Sequence, residues 1–307
     1  MHVHAESDTM ASNDAILAAT ALASAAMLAC LLRQRSRAAA AADSLAELLL
    51  PPPSAGAKFF VVGLGFTGER LALQLVRRGW RVGGTVRSAA AAARLRQLGV
   101  EALPWDSTQG EGQPGLAAVV GALSGATHVL STAAPGADGD PVLGSAALRS
   151  ALAGGAYAWV GYLSTVGVYG NRDGQEVDEA TAPAPTSERG RRRVAAEAAW
   201  ADGALALPLA VFRLPAIYGP GRGPLAKARS GKARRVYKEG QLFSRVHVDD
   251  ICNALLCSVR RPRAGAIYNV VDDAPAPAHE VVAHAFGVLG SHSAPQNVAA
   301  AACCGRC

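Results

Sequence analysis

From Lys58 onward the chain alternates between short apolar runs and longer amphipathic stretches. Lys58-Phe59-Phe60-Val61-Val62 is an apolar run of strand type, and a glycine-containing turn follows it. The next segment, ERLALQLVRRGW, sets Leu71, Leu75 and Val76 at the spacing of one helical face. RVGGTVR then reads as a second strand. Further strand candidates are VEAL before Asp106, THVLS at 127–131, AWVGYLS at 158–164 and LAVFRL at 209–214, with helix-like stretches separating several of them. That rhythm predicts an α/β fold, a doubly wound parallel sheet with right-handed crossovers. Asp249 and Asp250 precede the helix-like run ICNALLCSV, where an acid caps orphan amides and suits the helix dipole.

The pattern divides the chain into three parts: an extension over 1–57, a domain over 58–290, and a tail over 291–307 that is polar or alanine-rich without clear period and is expected to be disordered. No charge falls between Ala15 and Leu32, Arg33, Arg35 and Arg37 follow, and Pro51-Pro52-Pro53 gives a linker signal. Two readings compete with an uncleaved helix in the cytoplasm. One is an organelle-targeting peptide, plastid in type, rich in Ala, Ser and Arg. The other is a membrane anchor over 15–32, at the short limit for a span and weakened by its alanines.

Composition narrows the classes. The chain has 307 residues, half of them apolar and only 5% aromatic, which suits close helix-on-sheet packing and speaks against disorder. The net charge of +6 is concentrated at Arg189–Arg193 and Lys227–Lys238. No basic face with interleaved aromatics or nucleic-acid module accompanies it, so a small anionic ligand is expected rather than nucleic acid. The six cysteines form no disulfide framework, and no His partners Cys303, Cys304 and Cys307 at metal-ligand spacing, so no metal is expected.

The turn after the first strand reads Gly63-Leu64-Gly65-Phe66-Thr67-Gly68, directly between strand and helix. Gly63 permits the sharp turn, Gly65 lets backbone approach a pyrophosphate, and Gly68 lets helix and strand pack closely. Phosphates then meet free amides at the positive end of the helix dipole. This Rossmann-type arrangement predicts a bound nicotinamide dinucleotide. At the end of the second strand, where an acid would accept from the ribose of NAD, the chain has Arg87 and Ser88. A guanidinium pairs with a 2′-phosphate, so NADP is expected, with NAD as the alternative. Asp106 is a candidate adenine contact.

Four motifs, YLSTVGVYG, RLPAIYGPG, FSRVHVDDICNAL and GAIYNVVDD, appear in order. With them the chain, over roughly 58–289, resembles the extended short-chain dehydrogenase/reductases of the NAD-dependent epimerase/dehydratase-like type. The resemblance implies that Thr165 binds the reacting oxygen, with Tyr169 as the Tyr of VYG. It also implies a Tyr and a Lys four apart on the next helix, with an acid four beyond. The Tyr transfers a proton, and the Lys lowers its pKa while holding the ribose. Here the region reads PAPTSERGRRRVAAEAAW. Placing Glu197 on the acid puts Arg193 at the Lys and Arg189 at the Tyr. Arginine rarely gives up a proton, so the proton-transferring Tyr is missing. Tyr169 or Tyr218 is then the candidate acid, and Arg193 the candidate ribose contact. Arg213 and Tyr218 are expected near the substrate, and KARSGKARRVYK is either an anion clamp or a solvated hairpin. The resemblance also implies a longer substrate lobe than this sequence supplies, so the C-terminal substrate lobe is expected to be small and truncated.

Two functions follow. One is an NADP-dependent oxidoreductase, epimerase or dehydratase acting on a small anionic carbonyl or sugar-like substrate. The other is a non-catalytic dinucleotide-binding sensor or scaffold. A homodimer stays open.

Overall fold

The computed structural model describes residues 53–109, 112–237, 239–290 and 297–299. The candidate anchor or targeting segment lies outside them. Among the described residues no helix is long and apolar enough to cross a membrane, and no group of three metal-ligating side chains occurs.

Strand β1 (Lys58–Val62) leads through the glycine turn into helix α1 (Phe66–Arg77). Then come β2 (Arg81–Val86), α2 (Ala89–Gln97), β3 (Glu101–Pro104), α3 (Leu116–Ser124), β4 (His128–Ser131), α4 (Ala146–Ala153) and β5 (Trp159–Thr165). A 3₁₀ turn (Val166–Tyr169) precedes α5 (Glu188–Trp200) and β6 (Leu209–Leu214). Each strand foreseen from its apolar run is present. A further strand, β10 (Ala266–Asn269), completes a seven-stranded parallel sheet in the order β10-β6-β5-β4-β1-β2-β3. Its order reverses between β1 and β4, and ligands collect at such switch points, at the carboxyl ends of the strands.

Inner strands of a sheet covered on both faces are buried along nearly their whole length, which is why β1, β4 and β6 are mostly apolar, with His128, Ser131 and Arg213 as buried polar exceptions. One face packs Phe60, Val160 and Tyr162 against Leu123, Leu148 and Trp200 of α3, α4 and α5. On β1, β4, β5 and β6 stands a file of rings: Phe59 lies 6.0 Å from His128 and 5.8 Å from Trp159, which is 6.2 Å from Phe212. Each such fully buried large side chain contributes about 1.5–3 kcal/mol. Helix α7 (Val248–Arg260) buries Ile251 and Leu255, and its Ser258 hydroxyl ties it to this file by accepting from the Trp159 indole at 2.9 Å. Burial pushes the His128 imidazole down to about 4, so it stays neutral among the rings.

The smaller lobe is built from short pieces. Strands β7 (Ala216–Tyr218) and β9 (Arg245–His247) pair in parallel. So do β8 (Arg235–Tyr237) and β11 (Asn297–Ala299), the latter in a stretch where the sequence has no period. Helices α6 (Pro224–Arg229) and α8 (Ala278–Val288) enclose a minor core of Ala228, Ala233 and Ala285, flanked by Leu225, Val282 and Phe286.

Candidate functional site: a cleft at the carboxyl edge of the sheet

Gly63 has φ +98°, a conformation open to glycine, and a Cβ there would lie 2.6 Å from Thr132 Oγ1. The Thr132 hydroxyl instead donates to the Gly63 carbonyl at 2.5 Å, stitching the ends of β1 and β4 together. The Gly63 amide donates to Thr85 Oγ1 at 2.8 Å and the Leu64 amide to the Thr85 carbonyl at 2.7 Å, which binds the turn to β2. A Cβ on Gly68 would sit 2.5 Å from the Gly63 carbonyl, so α1 approaches the turn only without one. A Cβ on Gly65 would meet nothing within 4 Å, so the backbone there faces open space. Glu69 donates the first helical bond, to Gly65, which leaves the amides of Phe66, Thr67 and Gly68 as the orphan donors of the helix start. Open space, a tight turn and orphan amides fit a dinucleotide pyrophosphate.

At the end of β2, Arg87 is exposed. Ser88 caps α2, accepting from the Ala91 amide at 3.2 Å. Asp106 lies after β3, where its carboxylate accepts from the Thr108 amide and hydroxyl at 3.1 and 2.8 Å. Those bonds, with the Arg87 charge, hold Asp106 below the usual carboxylate range.

The glycine turn opens into a cleft of about 1550 Å³. Its walls include Gly65, Phe66, Thr67, Thr132, Thr165, Tyr169, Arg189, Arg193 and Arg222. Gly65–Thr67, Thr165, Tyr169 and Arg193 thus share one cavity, whereas Arg87, Ser88 and Asp106 stand outside it, along the end of β2 and β3.

Thr165 ends β5 and caps the 3₁₀ turn, its Oγ1 accepting from the Gly167 amide at 3.2 Å. Tyr169, 2% exposed, donates its hydroxyl to Asn269 Oδ1 at 2.9 Å and accepts from Arg213 Nη1 at 2.8 Å. Arg213 also lies 4.9 Å over the Tyr169 ring and pairs in a bidentate fork with Glu197, at 3.2 and 2.7 Å. Glu197 additionally accepts a short bond from the Ser164 hydroxyl. Arg213, expected near the substrate, is instead 3% exposed and spent on this network. The carboxylate four residues beyond Arg193 captures it.

Arg193 is 7% exposed, and its Nη1 donates to the Tyr162 hydroxyl at 2.9 Å and the Leu163 carbonyl at 2.7 Å. Burial raises the Tyr162 phenol well above its ordinary pKa, against the opposing pull of Arg193. Tyr218 stacks edge-on to His247 at 5.2 Å, and burial, then its hydrogen bond to Asp272, raise its pKa.

Two other expectations are corrected. The cap of α7 is His247, whose Nδ1 accepts from the Asp249 amide at 3.3 Å. The Asp249 carboxylate is drawn away to Arg70 of α1, at 2.6 and 3.0 Å, and that guanidinium holds it below the usual range. The basic run from Lys227 forms α6 and β8, and β8 pairs in parallel with β11, so it is no hairpin; residues 227–237 do not line the cleft. Thr132, Arg222 and Asn269 were missed as site residues. Thr132 opens the loop TAAPGADGDP, whose place after β4 was the available signal.

A parallel sheet with this strand order, a glycine turn at its switch point and a Thr-bearing β5 on the same cleft define an extended short-chain dehydrogenase/reductase. The chain belongs to the NAD dependent epimerase/dehydratase family, which it matches over residues 59–271. Protein YeeZ of Escherichia coli K12 is 30% identical over 227 residues, 72% of this chain and 78% of that protein. The structure of a functionally unknown conserved protein from Silicibacter pomeroyi DSS is 44% identical, with TM-score 0.70, covering 79% of this chain and 82% of that one. The UDP-glucuronic acid 4-epimerase of Bacillus cereus, solved in complex with NAD, is 17% identical with TM-score 0.66 over 79% of this chain and 87% of its own. At that identity the likeness concerns the fold alone.

Proposed function

We propose that the protein is an NADP-dependent oxidoreductase, epimerase or dehydratase acting on a small anionic carbonyl or sugar-like substrate. The observation that carries this reading is that Gly65, Phe66 and Thr67 open into the same cleft as Thr165 and Arg193. The turn from Gly63 to Gly68 would hold the pyrophosphate, Arg87 the 2′-phosphate, and Arg193 the nicotinamide ribose. A dinucleotide bound there would supply or accept hydride. Thr165 Oγ1 already accepts from Gly167, so its hydroxyl proton is free to orient a substrate oxygen. Arg193 keeps positive charge beside the reacting centre.

Calorimetry with NADPH and NADH on the full chain, repeated with Arg87→Ala, tests the cofactor. NADPH is expected to bind more tightly, and the substitution to weaken it about tenfold, the worth of one charge-assisted pair. Preference for NADH, or an unchanged variant, would overturn the NADP assignment.

A second reading, a dinucleotide sensor or scaffold without turnover, is favoured by Tyr169. Its hydroxyl is held between Arg213 and Asn269, and α5 offers arginines where the resemblance expects Tyr and Lys. Hydride exchange with any carbonyl substrate, lost in Thr165→Ala, decides for the enzyme. Tight binding with no exchange across a broad carbonyl panel decides for the sensor.

A further inference from the structure

Helix α5 begins Glu188-Arg189-Gly190-Arg191-Arg192-Arg193. Its one early carboxylate, Glu188, is taken twice, by Arg191 and by Arg192, each at 3.1 Å. Arg189 is left with no carboxylate in ion-pair range among the described residues. It is also badly placed for helix stability. Ser187 is the cap, so Arg189 stands in the first turn, where a cation opposes the helix dipole. An anion received at this point accounts for an arginine there.

The surroundings support that receptor. A Cβ on Gly190 would lie 2.8 Å from the Gly167 carbonyl, so the start of α5 is pressed against the turn after Thr165. Arg193, one turn further, is buried with hydrogen bonds to a phenol and a carbonyl, while Glu197 is committed to Arg213, so its charge has no ion-pair partner of its own among the described residues. From the lobe side, Arg222 lines the same cleft, its guanidinium 5.0 Å over the Phe66 ring. Backbone bonds in both directions between Gly219 and Arg222, at 3.1 and 3.0 Å, fix the turn that carries it. Four carboxylates also line the cleft. Asp173, Glu176 and Glu239 are exposed on loops, Asp173 accepting from Asn171 at 2.7 Å, and Asp272 bonds the Tyr218 hydroxyl. None of them pairs with Arg189, Arg193 or Arg222.

We propose that Arg189, with Arg222 from the 219–222 turn on the same cleft, is the receptor for a permanent anionic group of the substrate, a carboxylate or a phosphate. The proposal rests on the reading of this cleft as the substrate site and names the group that selects the substrate. A guanidinium offers a planar fork that two anionic oxygens fill, which a neutral sugar hydroxyl does not reproduce. The position that resemblance gives to a proton-transferring Tyr thereby becomes a binding position.

The test is calorimetry on the full chain, with and without saturating dinucleotide, using malonate, inorganic phosphate and neutral glucose as probes. Malonate or phosphate is expected to bind and glucose not to, and whichever anion binds more tightly identifies the group. Arg189→Gln is expected to weaken the anion about tenfold, and Arg222→Gln by a smaller factor, while dinucleotide affinity is unchanged. Arg192→Gln removes the same unit charge from the same helix at a residue already paired, and is expected to change anion affinity less than about twofold. Equal weakening in Arg189→Gln and Arg192→Gln, no weakening in Arg189→Gln, or no anion binding would each overturn the proposal. If the protein ignores both dinucleotides yet binds malonate or phosphate through Arg189, the cofactor reading fails and the anion receptor stands.

Discussion

The two halves of the sheet build their share of the cleft by opposite means. Around β1, α1 and β2 the surface is backbone: orphan amides, a carbonyl held by Thr132, and glycines where side chains would collide. The charged side chains of that half, Glu69 with Arg94 and Arg70 with Asp249, form partly exposed pairs outside the cleft. Around β5, α5 and β6 the surface is made of side chains, and a buried fork of Arg213 and Glu197, joined by Ser164, Tyr169 and Asn269, stands behind it. A site made of backbone tolerates almost no change at its few glycines. A site made of side chains on a locked frame can exchange residues that line the cleft, such as Arg189, without loss of the fold.

Removing one partner of the buried fork sharpens this contrast most. Glu197→Ala leaves Arg213 buried without its counter-charge and is expected to cost about 3–5 kcal/mol in urea unfolding. Replacing both partners, Glu197→Leu with Arg213→Met, should recover most of that loss. Dinucleotide affinity of the folded protein should survive both. If it collapses with the fork, the two halves are not separate.

His128 gives a pH-dependent effect on the backbone half. Its folded pKa, about 4, lies below the unfolded value of 6.5, because burial favours the neutral ring. Its stabilising contribution is therefore complete above 6.5 and is lost as pH falls through about 4. The loss is about 3 kcal/mol at most, less after solvent screening, and His128→Phe should flatten the unfolding profile in that window.

Gly68→Ala sets a methyl group 2.5 Å from the Gly63 carbonyl and 3.0 Å from Val61 Cγ1. An expected cost of about 1–3 kcal/mol should come with at least about a tenfold loss of dinucleotide affinity, since the helix start must shift. The smallest effect is expected from Arg94→Ala. It removes an exposed pair with Glu69 that water and salt screen, and should leave the unfolding midpoint and dinucleotide binding nearly unchanged.

How much of this could be read from the chain follows the same division. Each inner strand announced itself, because burial on both faces favours a mainly apolar run even where a residue such as His128 or Arg213 interrupts it. The glycine turn did so because its spacing is dictated by backbone sterics. Strand β10 was read only as part of a motif: at the sheet edge its four residues are half-buried and carry no strong pattern. The three-residue pairs β7–β9 and β8–β11 are too short to show a period. Partners of side chains were the least legible part. Asp249 carries a helix-capping residue type at a capping place, yet Arg70, 179 residues away in sequence, competes for it and His247 takes the cap. Arg213 was drawn to the ligand on paper and to Glu197 in space. Nothing local in a sequence ranks such rivals, because the outcome depends on distances that only the folded sheet sets.

The cap at Thr165 fixes the sense in which that hydroxyl meets its ligand. With one lone pair engaged by the Gly167 amide, the oxygen turns its hydrogen outward. A carbonyl or ether oxygen can accept that hydrogen, while one lone pair stays open to a donor. At this one atom the 3₁₀ turn converts an oxygen rich in acceptor capacity into a balanced pair, one donor and one acceptor, presented to the cleft.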